Sequence, residues 1–183
     1  MPPSQKNRLA LVSGALLTLA AIAAAATGFG VLYNTEDCLP LGWYATTPIV
    51  GPLKVGQTVV LCPPLNNQAI RFAISRQWLA AQPRSFCPGS LTPYIKRVYG
   101  LPGDRVDITP GAVRINGVAV PKTASLPTTL DGHTPMPHVR PGRFIIQPGQ
   151  VLLLATNAKN AFDGRYFGPV PQADVLRLAF KLG

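Results

Sequence analysis

Residues 94–108 read Tyr94-Ile95-Lys96-Arg97-Val98-Tyr99-Gly100-Leu101-Pro102-Gly103-Asp104-Arg105-Val106-Asp107-Ile108, and this stretch decides the fold class. β-Branched and aromatic residues dominate Tyr94 to Tyr99, Leu101-Pro102-Gly103-Asp104 turns the chain, and Arg105 to Ile108 is extended again. The same punctuation recurs throughout. Twenty prolines and 17 glycines in 183 residues argue against a helical bundle and for short strands joined by tight turns. The expected class is mainly β, an antiparallel domain with a short inserted helix.

Working outward from that stretch, Val55 to Leu61 predicts a strand closed by Cys62-Pro63-Pro64. Asn67 to Gln82 carries Ile70, Ala73, Ile74, Trp78 and Leu79 at helical spacing, and Pro83 ends it. On the other side, Ala112 to Val120 predicts a hairpin about Asn116-Gly117. Residues 121–143, rich in Pro, Thr and Gly, predict an irregular excursion. Gln150 to Ala155 predicts a buried strand, and Val175 to Phe180 the last one.

The N-terminal part has a different composition. From Leu9 to Leu32 no residue is charged. As a helix this segment would be about 36 Å long, against roughly 30 Å of bilayer hydrocarbon. Lys6 and Arg8 precede it, Glu36 and Asp37 follow it, and Gly28, Gly30 and Tyr33 mark its far end. The positive flank stays in the cytoplasm and sends the rest across. The expectation is a cytoplasmic stub and single-pass transmembrane anchor over 1–33, and a periplasmic domain over 34–183. A cleaved signal peptide ending near Ala23 to Ala26 is the alternative, though its apolar core is usually only about 7–15 residues. A buried core helix fits the length and flanks less well.

The formal charge of +10 raises a nucleic-acid reading. The basic residues are dispersed, without a dense run interleaved with aromatics, which disfavours it. A positive surface beside anionic lipid explains the charge more simply, at up to about 1 kcal/mol per residue. His133 and His138 have no zinc-ligand spacing to the cysteines, so no metal or other cofactor is expected. Cys38, Cys62 and Cys87 make an odd set, so an oxidising compartment leaves one thiol over.

Chemistry-bearing residues concentrate in Asn34-Thr35-Glu36-Asp37-Cys38-Leu39-Pro40-Leu41-Gly42-Trp43-Tyr44, in Tyr94 to Val98 before Pro102-Gly103-Asp104, and in Phe162-Asp163-Gly164-Arg165-Tyr166-Phe167-Gly168-Pro169-Val170. Each alone has a plain reading: a small core thiol, a solvated lysine, an Asp-Gly turn. In this order behind one apolar segment, they resemble the boxes of the type I signal peptidase family, most closely its TraF branch of conjugative pilin-processing peptidases. The Cys62-Pro63-Pro64 and Phe86-Cys87-Pro88-Gly89 segments are similar to that branch too.

The resemblance implies a signal-peptidase-like β domain and a Ser-Lys dyad chemistry. It puts Cys38 in the nucleophile's place, Lys96 in the general base's and Asp163 in the acidic position, with Pro40, Arg97 and Arg165 as substrate-binding or structural support. A lysine serves as a base near neutral pH only where burial disfavours its charged form. The implied reaction removes a C-terminal peptide from a membrane-embedded pilin precursor and joins the new end to the pilin's N-terminus. The implied partners are that precursor, the bilayer and the conjugative type IV secretion machinery, at the bacterial inner membrane. With Cys38 as nucleophile, Cys62 and Cys87 are left to form a disulfide.

Two departures from the family pattern stand out. Cys38 replaces a serine, and a thiol is the readier nucleophile. Glu36, two residues earlier, stands where signal peptidases often have an oxyanion-binding hydroxyl, and a carboxylate there would oppose that charge. The alternatives are a general signal peptidase acting on secretory pre-proteins and a silent homologue serving as a scaffold.

Overall fold

A computed structural model describes residues 5–183 apart from positions 80, 84, 130, 131, 140, 141 and 159. The side chains of residues 5–11 and 24–27 also lie outside the description, among them the flanking charges Lys6 and Arg8 and most of the Ala23–Ala26 stretch. Among the described residues the chain is mainly β, and every strand pairing is antiparallel.

The N-terminal helix α1 (Gln5–Thr27) is followed by β1 (Gly30–Asn34) and β2 (Gly42–Pro48). The helical reading of 9–32 is corrected at its far end: residues 30–32 are strand, and β1 pairs along β2 from Gly30↔Thr46 to Asn34↔Gly42. No helix among the described residues is long and apolar enough to cross a membrane.

β3 (Thr58–Leu61) is shorter than predicted, because a turn forms around Gly56. The inserted helix α2 (Gln68–Ser75) starts at Asn67, whose side chain accepts from the N–H groups of Ala69 and Ile70. It ends well before Pro83. Gln77 takes a positive φ of 58°, and N–H bonds from Gln77 to the Ile74 carbonyl and from Trp78 to the Ala73 carbonyl close a Schellman cap. Trp78 and Leu79 thus continue the apolar spacing without continuing the helix.

β4 (Tyr94–Gly100), β5 (Arg105–Ile108), β6 (Val113–Ile115), β7 (Val118–Ala119), β8 (Arg143–Ile145) and β9 (Gln150–Leu154) follow. The chain ends with α3 (Gly164–Phe167), β10 (Val170–Pro171) and β11 (Val175–Lys181). A seven-stranded sheet runs β1-β2-β11-β3-β4-β9-β10, and a four-stranded sheet runs β7-β6-β5-β8. The predicted hairpin turn holds, with Asn116 and Gly117 at φ of 52° and 85°.

β9 explains why its sequence is apolar on both faces. Val151 and Leu153 pack with Val59, Leu61, Ile70 and Val98 beneath α2. Leu152 and Leu154 point the other way, into the core of the smaller sheet with Val106, Val113 and Ile146.

The predicted excursion over 121–143 holds more order than expected. Thr128 and Pro135 form an antiparallel bridge. Thr123 is buried, and its hydroxyl accepts from Val113 N–H and donates to the Val120 carbonyl. Thr123 thereby ties the start of the segment to β6.

Candidate functional site

The loop of residues 35–41 joins β1 to β2 and carries Cys38. Asn34, the last residue of β1, is buried beneath it at 7% exposure. Its Nδ2 donates to the carbonyls of Glu36 (2.8 Å), Leu39 (3.1 Å) and Pro40 (3.2 Å), and its Oδ1 accepts from Glu36 N–H at 3.2 Å. The Tyr44 hydroxyl donates to the same Pro40 carbonyl at 2.8 Å. Cys38 is half-buried against Ala155, Ala158 and Ala161 and is the free cysteine among the described residues. Its backbone N–H makes no hydrogen bond among the described residues.

Lys96 comes from the middle of β4, paired with Val59 of β3. Strand alternation buries Lys96 and exposes Arg97 on the other face. Lys96 is 3% exposed, and among the described residues no ion pair or hydrogen bond engages its side-chain nitrogen. Its Nζ sits 4.9 Å from the centroid of the Tyr94 ring.

A cavity of about 1010 Å³ contains these groups. Its lining includes Glu36, Asp37 and Cys38 of the loop, Tyr94 and Lys96 of β4, and Arg76, Trp78 and Leu79 from the end of α2 and beyond. Leu126, Thr129, Thr134 and Met136 of the 121–143 segment form a further wall. Trp78 is held edge-on to Phe72 (5.4 Å) and to Phe162 (5.9 Å), so its place follows from the cap that ends α2. Burial pushes the Tyr94 phenol well above its ordinary range, and nearby Cys38 and Glu36 push it further. Tyr94 is thus next to the lysine, whose Nζ it contacts, and lines the same cavity as loop residues Glu36, Asp37 and Cys38.

Asp163 adjoins the alanine cluster that Cys38 packs against, through the N–H of Ala155. It is fully buried, caps α3 and does not line the cavity. Its carboxylate accepts from Ala155 N–H (2.7 Å), from Arg165 N–H (3.0 Å) and from the Arg165 guanidinium through Nε (2.8 Å) and Nη2 (2.9 Å). Arg165 further donates to the carbonyls of Ala155 (2.8 Å) and Ala124 (3.1 Å). The neighbouring Tyr166 hydroxyl accepts from Leu126 N–H at 2.8 Å. This box thus ties the 121–143 segment, a wall of the cavity, to the loop after β9. Pro40 and Arg97 line a second, smaller cavity of about 370 Å³ together with Tyr44 and Lys181.

Cys62 and Cys87 form a disulfide with Cα atoms 5.3 Å apart, closing the segment that contains α2 and Trp78. The roles of Asn34 and Tyr94 were not read from the sequence. Both stood in the quoted segments, but an asparagine at a strand end and a tyrosine within a strand carry no local signal of what they touch.

The family model described as signal peptidase, peptidase S26, matches residues 5–180. The conjugal transfer protein TraF of Agrobacterium tumefaciens (strain 15955) is 34% identical over 174 residues, covering 95% of this chain and 94% of its own. A plasmid transfer protein TraF of Escherichia coli is 33% identical over 168 residues, covering 92% and 89%. A probable signal peptidase I-2 of Synechocystis sp. (strain ATCC 27184 / PCC 6803 / Kazusa) is 34% identical over 89 residues, covering 48% and 36%.

Proposed function

Because this chain belongs to the signal peptidase family, peptidase S26, we propose that it is a conjugation peptidase that cuts a pilin precursor through an acyl-enzyme on Cys38. The observation carrying this reading is Lys96, a buried amine with no ion pair or hydrogen bond among the described residues, set over the Tyr94 ring and lining the cavity that Cys38 also lines. A buried amine without a hydrogen bond is costly, and a proton-transfer role in the cut accounts for its presence. The relatives named as conjugal and plasmid transfer proteins support the conjugation role. The buried disulfide supports an oxidising compartment, the periplasmic side.

In the proposed cycle Lys96 takes the thiol proton, and Sγ attacks the scissile carbonyl. The Cys38 N–H, unengaged among the described residues, donates to the oxyanion. Collapse of the tetrahedral species breaks the peptide C–N bond. The leaving amine takes its proton from the Lys96 ammonium, and a thioester remains. An incoming amine, the precursor's own N-terminus, then attacks the thioester, gives its proton to Lys96 and expels the thiolate, which takes that proton back, and the product is cyclic; water in the amine's place would yield a linear one. Asp163 and Arg165 act from behind, by holding the wall and the strand end. Arg97 faces the other side of the sheet, away from the cut.

The test is processing of a pilin precursor by wild type, Lys96→Ala, Cys38→Ala and Cys38→Ser. Both alanine variants lose processing, and the serine variant gives a smaller cyclic fraction, because thioesters prefer amines to water more strongly than oxygen esters do. The same product from wild type and Lys96→Ala sinks the enzyme reading in favour of a scaffold. Purely linear product from varied pre-proteins favours a general signal peptidase.

A further inference from the structure

We propose that Asn34 is a positioning residue of this site, holding Cys38 in place by clamping the loop on both sides of it; this rests on the peptidase reading of Cys38. The groups that Asn34 engages bracket the thiol. Glu36 N–H and carbonyl lie before it, and the Leu39 and Pro40 carbonyls lie after it. One carboxamide is needed for this. Its nitrogen offers two N–H groups that divide among the carbonyls, while its oxygen accepts from the backbone. Aspartate fills the same space but donates nothing and turns an acceptor toward the carbonyls. Alanine leaves the buried Leu39 carbonyl without a partner and frees the Glu36 carbonyl and N–H, at a cost in holding the loop.

The loop has little else to hold it. Thr35, Glu36 and Asp37 are exposed, and Leu39 is its buried anchor. Tyr44 adds one further bond, to the Pro40 carbonyl that Asn34 also uses. A displacement of about 1 Å at a nucleophile costs on the order of 100-fold in rate. The clamp therefore sets two things at once: where Sγ sits over the cavity, and where the Cys38 N–H points. Asn34 itself does not react, so its contribution falls on turnover and not on substrate affinity.

The experiment uses the full chain with Asn34→Asp, Asn34→Ala and Tyr44→Phe. Folding is followed by the thermal unfolding midpoint. The other readouts are the iodoacetamide alkylation rate of Cys38, which is the only free thiol once Cys62 and Cys87 are joined, and kcat and KM for precursor processing. In folded Asn34→Asp the alkylation rate changes by about tenfold or more, kcat falls by about 100-fold, and KM stays within about threefold. Tyr44→Phe moves both rates in the same directions and less far. Wild-type alkylation and kcat in a folded Asn34 variant overturn the proposal, as does a loss expressed wholly in KM. If neither Asn34 variant folds, an unchanged alkylation rate in Tyr44→Phe overturns it.

Alkylation needs no peptide chemistry, so the two readings fail separately. A wild type that processes no better than Lys96→Ala rejects the peptidase reading, and the alkylation comparison still decides the role of Asn34.

Discussion

The Arg165 guanidinium grips both carboxylate oxygens of Asp163, Nε to Oδ1 at 2.8 Å and Nη2 to Oδ2 at 2.9 Å, with both side chains fully buried. This fork is the junction between the loop after β9 and the 121–143 wall. Removing one partner leaves the other charge buried and uncompensated. Asp163→Asn and Arg165→Ala should each lower stability by about 3–5 kcal/mol, read from chemical denaturation midpoints. If Asp163→Asn instead keeps wild-type stability while processing vanishes, Asp163 acts in the chemistry directly.

Lys96 predicts the opposite pairing of effects. Lys96→Met fills similar space with no polar group to leave unpaired. Processing should drop by about 10²–10⁴-fold, while stability is unchanged or rises by about 1 kcal/mol. A clear fall in stability with processing retained would mean that Lys96 is a structural cation.

Gly164 is confined by its neighbours. A Cβ there would lie 2.7 Å from both Leu152 Cδ1 and the Leu153 carbonyl oxygen. The backbone oxygen cannot swing aside as a side chain can. Gly164→Ala is expected to cost about 1–3 kcal/mol and to loosen the Asp163–Arg165 junction. An alanine variant with an unshifted thermal midpoint would show that α3 slides freely against β9.

The Cys62–Cys87 disulfide closes the segment holding α2 and Trp78. Cys62→Ala/Cys87→Ala should lose about 2–4 kcal/mol and raise KM, because Trp78, Leu79 and Arg76 line the cavity from that segment. Unfolded without reductant, the wild type should show one free thiol; three would contradict the pairing.

Tyrosine ionisation gives the pH dependence. Burial holds the phenols of Tyr44, Tyr94 and Tyr166 above their ordinary value of 10.0. Above about pH 10 the unfolded chain releases protons that the folded protein keeps, so it binds fewer. Stability therefore falls as pH rises past that point, and this term is absent below it. Unfolding free energies between about pH 9 and pH 11, with phenolate absorbance followed in parallel, check this. Tyr94→Phe should flatten the slope.

What the sequence determined by itself was local. Turn residues and β-branched runs act within a few positions, so the mainly β class, the Asn116-Gly117 hairpin, β9 and β11 were legible directly. The boxes around Cys38, Lys96 and Asp163 were legible as boxes. The tertiary structure decided what those residues face. Asp163 turned inward to Arg165 because a buried guanidinium and the Ala155 N–H needed an acceptor. The 121–143 segment became a wall because Arg165 reaches the Ala124 carbonyl, 41 positions away. Asn34 became a clamp because loop 35–41 left carbonyls to satisfy in a buried place. Hydrogen-bond demands of this kind are met between segments far apart in the chain, which is why a residue's own sequence neighbours do not announce them.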